Sequence, residues 1–465
     1  MSGNSFGGTL DFNTDLIRRY DRSGPRYTSY PTAAWLRDDF GEREYRAFAA
    51  RGNENGPRPL SLYVHLPFCA QLCFYCACNK IVTKNRARAA PYLARLQREI
   101  ALKGELFERA RPVEQLHWGG GTPTFIRHDE MRALMQALRA HYTLRDDDRG
   151  EYGIEIDPRE LSVGTLALLR ELGFNRLSIG VQDLDPAVQR AVHRIQSAEQ
   201  TAAAVAEARA LGFRSINIDL MYGLPHQDTA SFDRTLEQVL AMAPDRLSVY
   251  NYAHLPEMFK PQRRIQEHDL PSLQQKLDIL RLAIERLTGA GYVYIGMDHF
   301  ARPDDELARA QRNGGLHRNF QGYSTHAECD LVGLGVTAIS QIGDSYAQNF
   351  KSLEDYFAAV DSGRLPIARG RALDADDKLR RAVIMQLICH FTLDMGKFED
   401  SHGIRFSRYF ARELAALVPM EQDGLVEVDA DAIRVLPAGR LLIRNICMLW
   451  DRYLAAAPAV YSRTI

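Results

Sequence analysis

The feature that most constrains this 465-residue chain is a ten-residue stretch, CAQLCFYCAC, that holds four of its seven cysteines. Within it, Cys69, Cys73 and Cys76 have the spacing C-x3-C-x2-C. This spacing lets one loop bring three thiolates to a four-iron cluster and leaves one iron open, while Cys78 is held back. Because an open metal position can bind a small molecule directly, we expect the rest of the chain to form that molecule's pocket.

Three other roles for these cysteines fit less well. Disulfides are disfavoured by the odd cysteine count and by a start, MSGNSFGG, that has no apolar signal segment. A structural zinc site would need a second Cys or Cys/His pair, and none lies close in sequence. Buried, unliganded cysteines are not expected to cluster beside aromatic and polar residues.

Composition excludes several functional classes. The content of 46% hydrophobic and 25% charged residues, with no apolar run near the ~18 residues of a membrane span, predicts a cytosolic globular protein. The 58 basic and 59 acidic residues give a net charge of −1, so no overall field attracts nucleic acid or an anionic membrane. An anionic substrate must therefore meet a local group of cations.

From residue 60 the sequence alternates between apolar runs of strand length and amphipathic stretches of helix length. The strand candidates are Leu60–Leu66, Val113–Trp118, Tyr152–Ile156, Arg176–Val181, Ser215–Leu220, Arg246–Tyr250 and Tyr292–Gly296. Helix candidates lie near 89–109, 129–141, 162–172, 197–211, 229–241 and 272–289. This pattern predicts an α/β fold with a parallel sheet that forms a partial or full (β/α) barrel.

Polar or glycine-rich motifs directly follow the first six strand candidates. Together with the cysteine loop they are Gly119–Thr124, Glu155–Pro158, Gly180–Asp183, Asp219–Pro225 and Asn251–His254. In such barrels the loops at the carboxyl ends of the strands form the active site, so we expect these motifs to meet. A carboxylate such as Glu155 at a strand end can accept hydrogen bonds from a ribose diol.

The two ends of the chain differ from this pattern. Residues 1–58 are rich in Gly, Arg, Tyr and Pro and predict an ordered N-terminal arm, either a surface extension or part of a pocket wall. The barrel is expected over 59–364, and a smaller, mainly α-helical domain over 365–465. That domain contains a helical stretch, Asp376–Phe391, and a winged-helix-like hairpin over 423–436, but its acidic residues argue against DNA binding and favour a cover for the barrel mouth.

The cysteine spacing, the aromatic Tyr75 before the third cysteine and the glycine run one strand later resemble the radical SAM enzymes. The resemblance implies a [4Fe-4S] cluster and S-adenosylmethionine (SAM), whose cleavage yields a 5′-deoxyadenosyl radical. Glycines suit this site because backbone without Cβ can approach a ligand closely.

Further segments, spread over most of the chain, resemble one group of that family, the oxygen-independent coproporphyrinogen III oxidases. They are Pro25–Thr32, Cys78, His117–Thr124, Gly180–Asp183, Asn217–Pro225, His317–Tyr323 and Arg440–Cys447. The resemblance implies conversion of two propionates of coproporphyrinogen III to vinyl groups, giving protoporphyrinogen IX in haem synthesis. It also implies two SAM molecules near one cluster.

The resemblance assigns roles to residues of this chain. Cys69, Cys73 and Cys76 would bind iron, whereas Cys78 would not. The cluster-bound SAM would be surrounded by Tyr63, Gly120, Glu155 and Ile339. The second SAM would be surrounded by Tyr75, Gly121, Thr122, Gln182, Arg194, Asp219 and Ala253. No protein acid, base or nucleophile is implied.

Charge and position add candidates for the substrate carboxylates: Arg26, Arg302, His317 and Arg318. The expected partners are a tetrapyrrole substrate and a reductase or flavodoxin-type electron donor, with no nucleic acid and no membrane span, and the chain is expected to be a monomer. Two alternatives stay open, a haem-chaperone-like radical SAM protein and a non-catalytic metal-binding barrel.

Overall fold

A computed structural model describes residues 10–54, 56, 58–454 and 461–464. The chain forms two compact units. Within the described residues, unit 1 comprises the chain up to residue 35, residues 284–327 and the chain from residue 373, and unit 2 comprises residues 36–283 and 328–372. The division into 1–58, 59–364 and 365–465 stays a prediction, and its two outer segments extend beyond the described residues.

Unit 2 contains the α/β core that the sequence predicts. Six of its strands match the first six strand candidates: β1 (Leu60–Leu66), β2 (Pro112–Gly120), β3 (Glu151–Ile156), β4 (Arg176–Gln182), β5 (Ser215–Tyr222) and β6 (Arg246–Asn251). They are all parallel and adjacent in chain order. The prediction of a parallel α/β sheet is confirmed.

The sheet continues beyond β1 through strands that the alternation did not predict. They are β7 (Asp330–Leu334), β8 (Ile339–Gln341), β9 (Ser345–Asn349) and β10 (Ile367–Ala372). The strand order in unit 2 is β6-β5-β4-β3-β2-β1-β7-β8-β9-β10, with β7 parallel to β1 and the last three antiparallel. The sheet is therefore mixed around a parallel centre.

Helices follow the strands of unit 2 as expected. They are α1 (Glu42–Glu54), α2 (Ala90–Gly104), α3 (His128–His141), α4 (Thr165–Glu171), α5 (Pro186–Ala191), α6 (Ala198–Ala210), α7 (Thr229–Ala241) and α8 (Leu353–Asp361). On α2 the apolar stripe Leu93, Leu96 and Ile100 is buried, as a helix with one apolar face requires. The start of α6 is fixed by the side chain of Ser197, which accepts a hydrogen bond from the backbone N–H of Gln200.

The last strand candidate, Tyr292–Gly296, forms a strand at Val293–Gly296. Within its own unit this strand is not parallel to its described partner strand. It lies in unit 1 and pairs antiparallel with His299–Ala301. A short return through residues 297 and 298 explains this, because antiparallel strands can be joined by a tight turn and parallel strands cannot.

Unit 1 also contains a mainly helical C-terminal region. The helices of unit 1 are Thr14–Tyr20 and Glu306–Asn313 in its first two segments, and Ala375–His390, Met395–His402, Phe406–Tyr409, Ala411–Gln422, Pro437–Arg440 and Ile443–Met448 in its C-terminal segment. The predicted hairpin is confirmed as Val426–Val428 paired with Ala432–Val435, and Thr392–Asp394 adds a third strand. A further helix of the described chain is Leu273–Gly289. No helix among the described residues is long and apolar enough to span a bilayer.

Candidate functional site

Polar side chains of the central strands share one face of the sheet in unit 2. In β5 the residues Ile216, Ile218 and Leu220 are fully buried, whereas Asn217 and Asp219 point to the other face, because successive side chains of a strand alternate. The register places Asp219 opposite Gly180 and places Asn217 opposite a serine of β4. The same face of β3 carries a glutamate, so the strands present a continuous polar row.

The cysteine loop is held above this row by backbone hydrogen bonds. Phe68–Cys69 forms a short parallel pair with Ile81–Val82, and Thr83 N–H donates to the Cys69 carbonyl at 2.9 Å. On its other side, Phe74 N–H donates to the Val192 carbonyl at 2.9 Å. The loop is therefore anchored at both ends to the unit that carries the polar row.

One cavity of about 250 Å³ lies between the loop and the row. Its lining includes four cysteines and the strand-end polar residues of unit 2. They are Cys69, Gln71, Cys73, Tyr75, Cys76, Cys78, Lys80, Gly120, Gly121, Thr122, Glu155, Ile156, Asp157, Arg159, Ser178, Gly180, Gln182, Arg194 and Asp219. The structure thus brings the motifs after β1 to β5 to one place, as the barrel hypothesis requires.

Two guanidinium groups hold the middle cysteine. Arg159 and Arg194 donate hydrogen bonds to Cys73 Sγ at 3.5 and 3.6 Å. Both also bind Asp157 Oδ2, at 2.6 and 3.0 Å. Burial raises the pKa of Asp157, but the two cations outweigh it and lower the pKa below its ordinary value. The carboxylate is therefore ionised and fixes both cations against the sulfur.

The other thiols differ in their surroundings. Burial raises the pKa of Cys69 to about 11, although the Thr122 hydroxyl donates to its Sγ at 3.8 Å. A hydrogen bond from Cys78, together with Lys80, lowers the pKa of Cys76 to about 6. All four cysteines of the loop are free thiols. Unpaired sulfurs that face one cavity and receive N–H and O–H donors suit the anionic ligands of an iron–sulfur cluster.

The carboxylate of Glu155 lies at the centre of the row. Its Oε2 accepts the Gly120 N–H at 3.1 Å, and its Oε1 is hydrogen-bonded to His117 Nε2 at 3.3 Å. Burial raises the pKa of Glu155, but these partners lower it by a larger amount. An ionised acceptor is therefore available at the cavity wall.

The second carboxylate, Asp219, is embedded in a different network. Ser178 Oγ donates to its Oδ2 at 2.9 Å and Asn217 Nδ2 donates to its Oδ1 at 2.8 Å. Burial nevertheless raises the pKa of Asp219 above its ordinary value. Glu155 and Asp219 thus offer two separately supported acceptors on neighbouring parts of one cavity.

The glycine run is required by close packing against the cysteine loop. At Gly121, a Cβ atom would lie 2.6 Å from the Phe68 carbonyl oxygen. At Gly120, which has φ of +113°, it would lie 2.5 Å from the His65 ring. Because neither position admits a side chain, the backbone of the run lines the cavity, and its role as a simple turn would not explain this packing.

Three of the residues expected around SAM do not line this cavity. Tyr63 is on β1 and its hydroxyl is hydrogen-bonded to His65 Nδ1 at 3.0 Å. Ile339 begins β8. The carbonyl oxygens of Ala253 and Tyr75 accept hydrogen bonds from the same Gln262 side chain, at 3.2 and 3.0 Å, so Ala253 lies beside a cavity residue.

The substrate candidates all lie in unit 1. Arg26 forms an ion pair with Asp298. Arg318 is only 4% exposed, and its Nε and Nη1 atoms have no hydrogen-bond partner among the described residues. His317 lies beside Arg318 on the hairpin His317–Asn319 and Gly322–Ser324, and Arg302 is half-buried.

Sequence reasoning singled out neither Asp157 nor Arg159 as a site residue. Asp157 stands in the motif that ends β3, and Arg159 follows two residues later, so position after a strand was the available signal. Position after a strand does not reveal the contact of Arg159 with Cys73, because Cys73 is 86 residues away in sequence.

Comparison with known proteins extends these observations. The sequence model of the Radical SAM superfamily matches residues 63–239, and that of the HemN C-terminal domain matches residues 373–442. The oxygen-independent coproporphyrinogen III oxidases of Pseudomonas aeruginosa and Escherichia coli are 58% and 54% identical to this chain, covering 96% and 98% of it and 97% and 99% of their own lengths.

A solved structure is similar over nearly the same length. Coproporphyrinogen III oxidase (HemN) from Escherichia coli, described as a radical SAM enzyme, superposes with a TM-score of 0.91 at 52% identity. The match covers 96% of this chain and 100% of that one. The radical SAM fold and the resemblance inferred from sequence motifs are thereby confirmed.

Proposed function

The chain belongs to the family of oxygen-independent coproporphyrinogen III oxidases, and from that premise we propose that it converts two propionate side chains of coproporphyrinogen III to vinyl groups. The product is protoporphyrinogen IX, and the reaction serves haem synthesis. One observation carries the proposal above the others: three spaced thiols, two arginines and three carboxylates line a single cavity in unit 2.

A [4Fe-4S] cluster and SAM are the cofactors of this family. When bound, they supply a 5′-deoxyadenosyl radical that takes hydrogen from an unactivated carbon. We assign Cys69, Cys73 and Cys76 as the iron ligands. Arg159 and Arg194 donate hydrogen bonds to Cys73 Sγ and so fix the position of this sulfur.

The polar row orients SAM. Glu155, held by His117 and the Gly120 N–H, accepts hydrogen bonds from ribose hydroxyls. The backbone of the glycine run approaches the methionine end because no Cβ intervenes. Tyr63 and Ile339 complete the surroundings of the cluster-bound molecule.

We further propose that two SAM molecules bind. The cavity wall carries more polar groups than one molecule needs, because Asp219 has its own hydrogen-bond network, separate from that of Glu155. The Nε atom of Arg194 is buried and has no hydrogen-bond partner among the residues that the structure describes, which suits a group that receives a ligand carboxylate. The residues assigned to the second SAM are Tyr75, Gly121, Thr122, Gln182, Arg194, Asp219 and Ala253.

Substrate carboxylates are assigned to unit 1. Arg318 is the best supported of these contacts, because two nitrogens of its buried guanidinium have no hydrogen-bond partner in the described part of the chain, and such a group is costly unless an anion binds it. Its Cζ lies 4.7 Å from the centre of the Tyr323 ring, which fixes the planar group by a cation–π contact. Arg26, Arg302 and His317 are further proposed contacts.

The deciding experiment is an anaerobic assay of the reconstituted protein with coproporphyrinogen III, SAM and a reductant. We expect loss of two carbon dioxide molecules per substrate, measured by separating the oxidised pigments. Retention of the tetrapyrrole with an intact cluster would instead indicate a haem-chaperone-like protein. A colourless, zinc-loaded preparation would indicate a non-catalytic metal-binding barrel.

We also propose a cytoplasmic, monomeric protein that receives electrons from a reductase or flavodoxin-type donor. The protein needs an electron donor because each radical is generated after one-electron reduction of the cluster. Sedimentation of the purified protein measures its oligomeric state. A dimer at micromolar concentration would contradict the proposed monomer.

A further inference from the structure

The segment that follows the cysteine loop has an unusual charge distribution. From Pro67 to Arg98 the sequence contains no Asp or Glu, whereas it contains Lys80, Lys84, Arg86, Arg88, Arg95 and Arg98. A chain with nearly equal numbers of acids and bases thus concentrates positive charge beside its metal loop. A basic stretch is often no more than a solvated surface. The contacts of these residues in the structure show which of them are paired within the protein.

Some of these cations are neutralised by acids from other elements of unit 2. Arg86 pairs with Glu160 at 3.2 Å, and Arg95 and Arg98 pair with Asp361 at 2.7 and 3.2 Å. Each of these three arginines therefore has a structural role. They contribute little free charge to a partner.

Lys84 and Arg88 remain exposed, and neither forms an ion pair with any described residue. A third cation, Lys351, is exposed beside the start of the segment, where its carbonyl accepts a hydrogen bond from Asn79 Nδ2 at 3.1 Å. Its pKa is lowered, first by partial burial and then by Arg369, so further positive charge lies nearby.

An apolar side chain lies within the same segment. Val82 is 41% exposed, in a protein where few large hydrophobic residues reach the surface. We call Val82, Lys84, Arg88 and Lys351 the Val82 surface. An exposed apolar residue with uncompensated basic residues close to it in the chain is typical of a transient protein interface, in which charges steer encounter and the apolar part excludes water.

This surface is directly connected to the metal loop. Val82 is the strand partner of Cys69, and Thr83 N–H donates to the Cys69 carbonyl at 2.9 Å. A protein that covers Val82 is therefore separated from a proposed iron ligand by a single pair of strands. Close approach of this kind is what electron transfer between two proteins requires.

We propose that the Val82 surface is the docking site of an acidic one-electron donor protein. The inference rests on the proposed function, because only a reducible cluster gives the donor a role. One electron passes from the reduced redox group of the donor to the cluster. The donor is oxidised by one electron and the cluster is reduced by one electron. The basic residues bring the acidic donor to the surface, and Val82 forms the centre of the contact.

Binding is measured by calorimetry between the full-length, cluster-loaded protein and an acidic FMN-containing flavodoxin. The variant Lys84→Glu/Arg88→Glu is expected to raise the Kd about tenfold, and higher salt is expected to weaken wild-type binding more than variant binding. Lys84→Gln/Arg88→Gln should give an intermediate effect. The circular dichroism of each variant establishes that it is folded.

The matched control is Arg51→Glu on α1. Its neighbour Gly52 is packed near Asp330, where β7 begins, so this part of α1 lies at the amino edge of the parallel strands, opposite the cysteine loop. It should leave the Kd unchanged. Equal Kd values for wild type and Lys84→Glu/Arg88→Glu, or equal losses in the Arg51 control, would overturn the proposal.

Turnover with two reductants separates this proposal from the function on which it rests. With dithionite, a small reductant, Lys84→Glu/Arg88→Glu should convert substrate as fast as wild type, whereas with flavodoxin it should be slower. Flavodoxin binding without turnover of coproporphyrinogen III would refute the proposed function alone. Dithionite-driven turnover without charge-dependent flavodoxin binding would refute the docking site alone.

Discussion

Arg194 donates a hydrogen bond to Asp157 at 3.0 Å, and both side chains are less than a tenth exposed. The same guanidinium donates to Cys73 Sγ and to the Gly180 carbonyl. Arg194, which lies in the connection between α5 and α6, therefore joins the cysteine loop to the ends of β3 and β4. This links the proposed iron site to the proposed SAM site.

Arg194→Lys should reduce bound SAM from two molecules to one per chain, because a single ammonium cannot reproduce a planar guanidinium with three partners. Equilibrium dialysis of the cluster-loaded protein measures the stoichiometry. Arg159→Lys is the comparison, since Arg159 also binds Asp157 and Cys73 but is not assigned to SAM. Equal losses of SAM in the two variants would argue against a specific role for Arg194.

Replacement of the cysteines should separate ligands from the spare thiol. Cys69→Ser, Cys73→Ser and Cys76→Ser should each lose most of the iron, because thiolates are the ligands that hold such clusters. Cys78→Ser should retain about four irons per chain, and so should Cys447→Ala, a control at a buried position in unit 1. Iron and sulfide analysis after anaerobic reconstitution gives the result. Loss of iron in Cys78→Ser would show that Cys78 is a ligand.

Glu155→Gln keeps the shape of the side chain and removes its charge. The amide is a weaker acceptor for ribose hydroxyls and for the Gly120 N–H, so the Kd for SAM should rise about 10- to 100-fold, as expected for a hydrogen bond to a charged group. Iron content should not change. Glu160→Gln, in which the carboxyl group pairs with Arg86, should leave SAM affinity near the wild-type value. An unaltered Kd in Glu155→Gln would remove this residue from the SAM site.

Arg318→Gln should raise the KM for coproporphyrinogen III about tenfold or more, because a substrate carboxylate loses a charged, buried partner. Iron content and SAM binding should be those of wild type, since Arg318 lies in unit 1 and the cysteine cavity in unit 2. Steady-state kinetics with dithionite as reductant provides the measurement. Arg312→Gln, an exposed arginine of the same unit, is the control. An unchanged KM in Arg318→Gln would exclude it as a substrate contact.

Asp183 should make unit 2 less stable as pH rises. Burial raises its pKa to about 6, although Gln227 and Thr235 donate to its carboxyl group and partly offset this. Because the folded pKa exceeds the ordinary value of 3.8, the folded state binds the proton more tightly. Its contribution to stability is therefore present below pH 4 and lost as pH rises to above 6, by about 3 kcal/mol at most.

Asp183→Asn cannot ionise, and it should lack this pH dependence even if it is less stable overall. Denaturant unfolding of both proteins between pH 4 and pH 7 measures the difference in unfolding free energy. We expect the advantage of the wild type over the variant to shrink as pH rises across this window. A difference that stays constant would mean that Asp183 has an ordinary pKa.

Local pattern accounts for much of the parallel core and of the cysteine cavity. Strands such as β4 and helices such as α2 were predictable because burial repeats every two or every 3.6 residues along the chain. Residues such as Glu155 and Asp219 could be placed together because the carboxyl ends of parallel strands meet at one edge. These inferences need only neighbours in sequence and the geometry of the sheet.

Other features depend on contacts between distant segments. β7 pairs with β1 across about 270 residues, and its sequence is buried on both faces, so it lacks the alternation that identifies a half-buried strand. The antiparallel extension β8 to β10 and the composition of unit 1 from separate segments were unpredictable for the same reason.

The sequence by itself therefore determined the cysteine spacing, the α/β alternation and the family resemblance, because each is written in residues close together along the chain. Only the tertiary structure decided that Arg159 and Arg194 hold Cys73 and that Val82 is exposed beside Cys69. It also decided that Arg318 is buried with no partner for two of its nitrogens in the described part of the chain. Burial and pairing depend on which distant segments pack together, and local residue patterns do not encode that choice.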